Sequence, residues 1–499
     1  PYLFMQNPIA LAMIVAYLAG TTLVGVFMMR RSRKGDDWAV AGGQMGVLMI
    51  AVGIAGTRVG GAATYGVAGD VITGGIWSMW YAVNTFLALA LVGIFFAVPY
   101  RRLGIQTVGE VFLQRFGSRR CQWLTSLCVQ IEYLIVNIIE PYVIGRILTA
   151  MTGVPFGITV ILSGIIIVTY TSTGGLWGSA ATNLIHCVAV LGGLAAVTIA
   201  GVNHLGGWDQ VTASVNAALT GANADPATWW SVAGAGWLPV LGMFFAATMH
   251  TPAASVYCNF AAAGRDERTV KTAFVWGGLI AMPMPLLAGA IGILTLAKYG
   301  AAAQLASYQT LTRLAIDINP WVGGIALAAV LAAVVSSGGP ILLSSATMFV
   351  RDWLPQSKGW TPDAQVRAYR TTTIIYGMGA ALVAWLGPVS SILELLLFGF
   401  AMVVPPALAV TFTLYWKRTT EAGAFWGMAL GLAGGLIWYA LTQFVLIGQG
   451  ESIDPSYPTM LIPLIAIPVI SLLTRENVDR RQTFYERLSR PRALSGFLR

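Results

Sequence analysis

The sequence predicts an all-α polytopic membrane protein of about thirteen transmembrane helices, and three observations carry that expectation. Hydrophobic residues make up 57% of the 499 and charged residues only 10%, against about 25% charged in a soluble globular chain. Apolar runs of the ~20 residues that a spanning helix needs fall at 8–29, 47–75, 77–100, 121–150, 155–172, 178–203, 231–262, 268–298, 319–352, 368–387, 389–416, 421–447 and 457–474. The basic residues are also segregated. With the N-terminus outside and the spans alternating, 25 of the 29 Lys and Arg fall on the cytoplasmic side.

That segregation fixes the expected topology. The cytoplasmic set is Arg30, Arg31, Arg33 and Lys34; Arg101, Arg102, Arg115, Arg119 and Arg120; Arg265, Arg268 and Lys271; Arg351, Lys358, Arg367, Arg370, Lys417 and Arg418; and seven arginines from Arg475 to Arg499. The outer loop 202–230 has no Lys or Arg. A wrong helix count would scramble this pattern, so the positive-inside rule places the N-terminus outside and the C-terminus in the cytoplasm, in a plasma (inner) membrane. The net charge of +9 is thus a topology signal and not a sign of nucleic-acid binding.

The first span is too long, and too strongly followed by RRSRK, to be a cleaved signal peptide, and is expected to stay as an anchor. The second, from Ile50 to Gly75, carries eight glycines and Arg58. Unpaired backbone groups are costly in lipid, so a broken helix is tolerated only where it is buried in protein or lines a wet cavity, which is where transporters bind solutes and ions. Trp77, Trp80 and Tyr81 open the third span, where interface anchoring is the commoner role.

In the fourth span Tyr133, Asn137 and Glu140 lie at i, i+4 and i+7 on one helical face, with Glu132 turned about 100° from Tyr133. A carboxylate inside a membrane faces a cavity or a partner. Either Glu140 pairs with a structural arginine or caps the kink at Pro141, or it contacts a cationic substrate or balances Arg58. His186, isolated among apolar residues of the sixth span, reads as a satisfied core residue.

The seventh span, with Pro239, Gly242, His250 and Pro252, also looks interrupted. In a core of two five-helix halves it would be the first helix of the second half, matching the break in the second span. Phe244, Phe245 and His250 either face the site or pack the core. In the ninth span Ser336 and Ser337 precede Gly338, Gly339 and Pro340. Adjacent hydroxyls beside loosened backbone suit a hard cation, or else bond back to the preceding turn. Glu394 and Pro405–Pro406 make the eleventh span a candidate gate. The basic tail after Thr474 is expected along the membrane surface.

Several stretches together resemble the sodium/solute symporter family: AAVVSSGGPILLSSATMFVRDW, GGLWGSAATNLIH, GGAATYGVAGDVITGG, TVGEVFLQRFGSR and AAAGRDERTVKTA. The resemblance implies the five-plus-five inverted-repeat, leucine-transporter-like fold with the first helix of each repeat broken. It divides the chain into an extra N-terminal helix and loop (1–46), a first repeat (47–203), an extracellular loop (204–230), a second repeat (231–416), two further helices (417–474) and a tail (475–499). It also implies a sodium site of main-chain oxygens at Gly56, Val59 and Ala333 with the hydroxyls of Ser336 and Ser337. The chain departs from the family's common pattern at Arg58, where many members carry an acidic or amide residue, at Asn183, commonly aspartate, and at His186, commonly glutamine. A guanidinium cannot ligate sodium and stays protonated when buried. It either binds a substrate carboxylate bidentately or takes the ion's electrostatic place.

The function expected is sodium-coupled symport of a small polar solute, carboxylate-bearing or zwitterionic, by alternating access. Arg58, Tyr133, Asn137, Glu140, Phe245 and His250 are the candidate solute-binding residues. Na+ is the implied coupling ion, with no organic cofactor and no other metal. The expected partners are the solute, the lipid bilayer and an accessory membrane subunit, with no nucleic acid. The alternative is a transporter-like sensor or membrane subunit of a larger complex, with Arg58 paired to Glu140 as a lock. Four cysteines form no disulfide framework, and the sequence holds no nucleophile–base pair, phosphate loop or metal cluster that would suggest an enzyme.

Overall fold

The computed structural model describes residues 8–28, 40–300, 307–354, 357, 359–387, 392–445, 453–475 and 478–490. Arg30, Arg31, Arg33, Lys34, Lys358, Arg492 and Arg499, part of the basic pattern, lie outside the described residues.

Apolar length makes the helices and glycine and proline break them. Helix α1 (Pro8–Met28) precedes a bent pair, α2 (Val47–Arg58) and α3 (Ala62–Gly74), which turn by 59° across the break. Then come α4 (Ile76–Leu103), a short α5 (Gly109–Phe116) and the long α6 (Arg119–Thr152), which passes through Pro141. Helix α7 (Phe156–His204) contains both the fifth and sixth expected spans. The loop expected between them reduces to a kink at Gly175, whose φ of 55° is open to glycine and strained for other residues.

A further helix, α8 (Trp208–Gly221), leads to the second interrupted pair, α9 (Trp237–Met249) and α10 (Ser255–Ala263). The chain closes with α11 (Glu267–Tyr299), α12 (Ser307–Ile318), α13 (Pro320–Met348, running on to Trp353), α14 (Pro362–Leu386), α15 (Ile392–Tyr415), α16 (Glu421–Phe444), α17 (Ser456–Leu473) and α18 (Val478–Ser489). Helix α15 runs unbroken through Pro405 and Pro406.

Among the described residues eight helices are long and apolar enough to cross a membrane, and the α2–α3 pair makes a ninth. The other four expected spans are helical too. Two are short apolar stretches, Ala12–Thr21 and Phe156–Ser172. The third is the interrupted α9–α10, and the fourth, α14, opens with the charged residues Asp363, Arg367 and Arg370.

The centre of the bundle is α13, buried along most of its length and packed on α7, α6, α1 and α2. The stretch just before α2 is tied to the end of α10 by paired main-chain bonds, Met45 N to Ala263 O at 2.8 Å and Arg265 N to Met45 O at 3.1 Å. One corner of the bundle is held by a charged network. Arg351 pairs with Glu110 at 2.7 Å, and Asp352 Oδ1 accepts from Thr107 and Gln122, each at 2.7 Å.

The tail is held by the protein. Helix α18 docks on the bundle. Phe484 is buried against the Arg115 guanidinium, Tyr485 Oη donates to Thr413 O at 2.8 Å, and Arg102 donates to Leu488 O at 2.8 Å. Two neighbouring aromatics on an otherwise polar helix help to seat it.

Candidate solute and ion site

The site grows from the two helix breaks. Helix α2 ends at Arg58, Val59 is extended (φ −108°, ψ 90°), and the helix resumes past Gly60 and Gly61. The carbonyl end of a half-helix carries partial negative charge and the amide end partial positive charge. Both ends are used here. Facing the amide end, the Gly61 N–H donates to Glu140 at 3.2 Å, and the Ser337 hydroxyl donates to the same carboxylate.

At the carbonyl end, four oxygens from two helices converge. Ser336 Oγ lies 2.9 Å from Gly56 O, 3.4 Å from Val59 O and 2.7 Å from Ala333 O. An oxygen-only set suits a hard cation. Of the implied sodium residues, Gly56, Val59, Ala333 and Ser336 come together. Ser337 does not join them, because its hydroxyl is engaged with Glu140 and with Val334 O. Asn183 backs the cluster. Its Nδ2 donates to Gly53 O at 2.9 Å and to Ser336 O at 3.2 Å, while its buried Oδ1 has no partner.

Beside the cluster is a cavity of about 30 Å³, lined among others by Arg58, Tyr81, Glu132, Glu140, His250 and Phe400. A void needs roughly 10–15 Å³ to hold one water, so the space admits water but is too small for an organic solute. Arg58 is buried within it. Its Nη2 donates to Ala247 O at 2.5 Å, Nη1 is 3.5 Å from His250 Nε2, and the guanidinium lies 5.1 Å from the Phe400 ring and 5.6 Å from the Tyr81 ring. Arg58 Nε has no partner. His250 sits at the second break, where its Nδ1 is 2.6 Å from Ala246 O and its ring stacks on Phe400 at 3.9 Å.

Three of the expected solute residues, Arg58, Glu140 and His250, therefore line one cavity. The other three do not. Tyr133 Oη accepts from Val256 N at 2.7 Å and so caps the start of α10. Asn137 donates back to Tyr133 O at 2.7 Å. Phe245 packs edge-on against Tyr457 at 5.4 Å. The cavity face of α6 is Glu132, Val136, Ile139 and Glu140, not Tyr133 and Asn137. Two glutamates eight residues apart share a helical face, and that spacing was the available signal for Glu132. The suggested Arg58–Glu140 lock is not formed, and Arg58 makes no ion pair among the described residues. His186 is a buried core residue bonded to the Tyr17 hydroxyl. Glu394 lines a separate cavity of about 490 Å³ with Asp70, Asp454 and Trp77.

Residues 38–431 match the model of the sodium:solute symporter family. The chain belongs to that family. It is 23% identical to the sodium/glucose cotransporter 1 of Oryctolagus cuniculus, over 95% of this chain and 80% of that protein. It is 24% identical to the sodium/pantothenate symporter of Escherichia coli (strain K12), over 91% of this chain and 95% of that protein. Its fold matches the substrate-bound outward-open structure of a Na+-coupled sialic acid symporter with a TM-score of 0.79. That match covers 94% of this chain and 98% of the other, at 19% identity. This family member is therefore a multi-pass membrane transporter and not an enzyme, with the five-plus-five inverted-repeat architecture.

Proposed function

We propose that this protein is a secondary active transporter that carries a small carboxylate-bearing polar solute together with sodium, by alternating access, through a plasma (inner) membrane. The observation that carries the reading is the gathering of Gly56 O, Val59 O and Ala333 O around Ser336 Oγ, beside the Arg58 cavity. Two of these oxygens belong to the broken first helix of one repeat (47–203) and two to α13 of the other (231–416), so an ion held there ties the repeats together. Arg58 lies next to the cluster, not in it, with its guanidinium turned to the cavity. It leaves the ion's place free and offers a planar donor fork to a carboxylate. The basic-residue pattern supports an outside N-terminus and a cytoplasmic C-terminus.

Thermal unfolding of the purified protein in matched sodium, potassium and choline chloride tests the ion. A ligand that binds only the folded state at 100-fold its Kd adds about 2.7 kcal/mol. A saturable upward shift in sodium alone supports the reading. Equal curves in the three salts exclude sodium as the coupling ion.

A further inference from the structure

We propose that the solute is a small zwitterion whose ammonium group is bound by Glu132, a residue with no role in the ion cluster. This assignment rests on the carboxylate reading of Arg58 and extends it to the other end of the solute.

Glu132 is 3% exposed and lines the central cavity, and its Oε2 has no hydrogen-bond partner among the described residues. Its other oxygen, Oε1, lies 3.9 Å from His250 Nε2. Arg58 Nη1 approaches the same ring nitrogen at 3.5 Å. A buried cation and a buried carboxylate thus flank one imidazole without pairing with each other. Arg58 also retains an unpartnered Nε on its side.

A buried charge that lacks an ion-pair partner is expensive, and although Arg58 donates to Ala247 O, neither Arg58 nor Glu132 has an opposite charge within salt-bridge distance among the described residues. Each instead offers a free polar atom at the wall of one small cavity. A solute with a carboxylate at one end and an ammonium group at the other would satisfy both and cancel their charges. A neutral sugar or a simple anion would leave Glu132 bare.

Glu140, the other acid in this cavity, is not free for that task. It already accepts from Gly61 N, at 3.2 and 3.4 Å to its two oxygens, and from the Ser337 hydroxyl. The wall also carries apolar side chains, among them Val136, Ile139, Leu396 and Phe400, to hold a hydrocarbon body.

The test is a binding panel on the purified full-length protein in sodium, read as thermal shift and confirmed by calorimetry. The zwitterions are L-alanine, L-valine and L-phenylalanine. Propionate, 3-methylbutanoate and 3-phenylpropionate lack the ammonium group, and ethylamine, 2-methylpropylamine and 2-phenylethylamine lack the carboxylate. At least one zwitterion should bind about 10- to 100-fold more tightly than its desamino acid. Glu132→Gln, which keeps the shape, should remove that preference while the desamino acid still binds. Equal binding of zwitterion and desamino acid overturns the role of Glu132 and leaves the Arg58 reading standing. Binding by the amines alone overturns both. Binding by none of the nine overturns the zwitterion assignment, while the sodium shift reports separately on the ion cluster.

Discussion

The hydroxyl of Ser336 lies 2.9 Å from the carbonyl oxygen of Gly56, across the contact between α13 and the broken α2. One hydroxyl thereby touches three carbonyls drawn from both repeats, and its neighbour Ser337 reaches the other way, to Glu140 in the cavity wall. Two adjacent side chains thus link the carbonyl cluster at the helix break to the wall of the central cavity.

The two serines should therefore separate in a sodium titration. Ser336→Ala removes one of four cluster oxygens and should raise the sodium concentration for half-maximal stabilisation about tenfold, the effect of about 1.4 kcal/mol. Ser337→Ala should change it by less than about threefold and act on solute affinity instead. Sodium titrations of Tm for both variants decide this, and equal effects would reject the separation.

Gly56 has no room for a side chain. A Cβ there would come within 2.6 Å of Asn183 Nδ2 and 2.7 Å of its Cγ. Gly56→Ala should displace Asn183, break its bonds to Gly53 O and Ser336 O, and cost about 1–3 kcal/mol, as overpacking does. The sodium-dependent shift in Tm should disappear along with that stability. A retained shift would mean that the carbonyl of Gly56 does not serve the ion.

Arg58 should be sensitive to geometry as well as to charge. Arg58→Ala should weaken a carboxylate solute by about 2–5 kcal/mol, the usual effect of truncating one partner of a buried charge pair. Arg58→Lys keeps the charge but loses the planar fork, and should fall between the two. Calorimetry on the wild type and both variants gives the order, and Lys equal to Arg would exclude bidentate binding.

Helix α18 should undock when its anchor is cut. Phe484 is 2% exposed, and Phe→Ala at a packed position removes about 3–5 kcal/mol. Because the loss is local, Phe484→Ala should leave global Tm almost unchanged and speed trypsin cleavage at Arg480, Arg481 and Arg487 at least tenfold. Cleavage at the wild-type rate would show that the polar bonds of Arg102 and Tyr485 hold the tail alone.

How much of this was legible in the sequence follows from the kind of signal each residue leaves. The breaks at Arg58–Gly61 and His250–Ala254 announce themselves, since glycine, proline and a charge do not otherwise occur together in a bilayer span. The pairing of Ser336 with Gly56, Val59 and Ala333 was implied by the family resemblance. The rotation of α6 was only half legible: the spacing of Glu132 and Glu140 marks a shared face, but nothing in the helix takes Tyr133 off the cavity. Tyr133 and Glu132 are adjacent, and which of them meets the cavity depends on how a 34-residue helix packs on its neighbours. The hydrogen bond from Val256 N to Tyr133 Oη takes Tyr133 out of the cavity. No pattern within α6 encodes that contact. The docking of α18 was hidden for a similar reason: composition reads Phe484 and Tyr485 as part of a polar tail, and only the Arg115 surface gives them a place to bind.

The small central cavity has an electrical meaning. A membrane potential falls across insulating material and not across water, so a void of about 30 Å³ walled by packed helices places the voltage drop on the protein itself. A net-neutral zwitterion travelling with one sodium ion moves one positive charge through that drop, which is worth about 2.3 kcal/mol per 100 mV. In this reading the broken helices work as a switch in a circuit, and the solute is accumulated by a current.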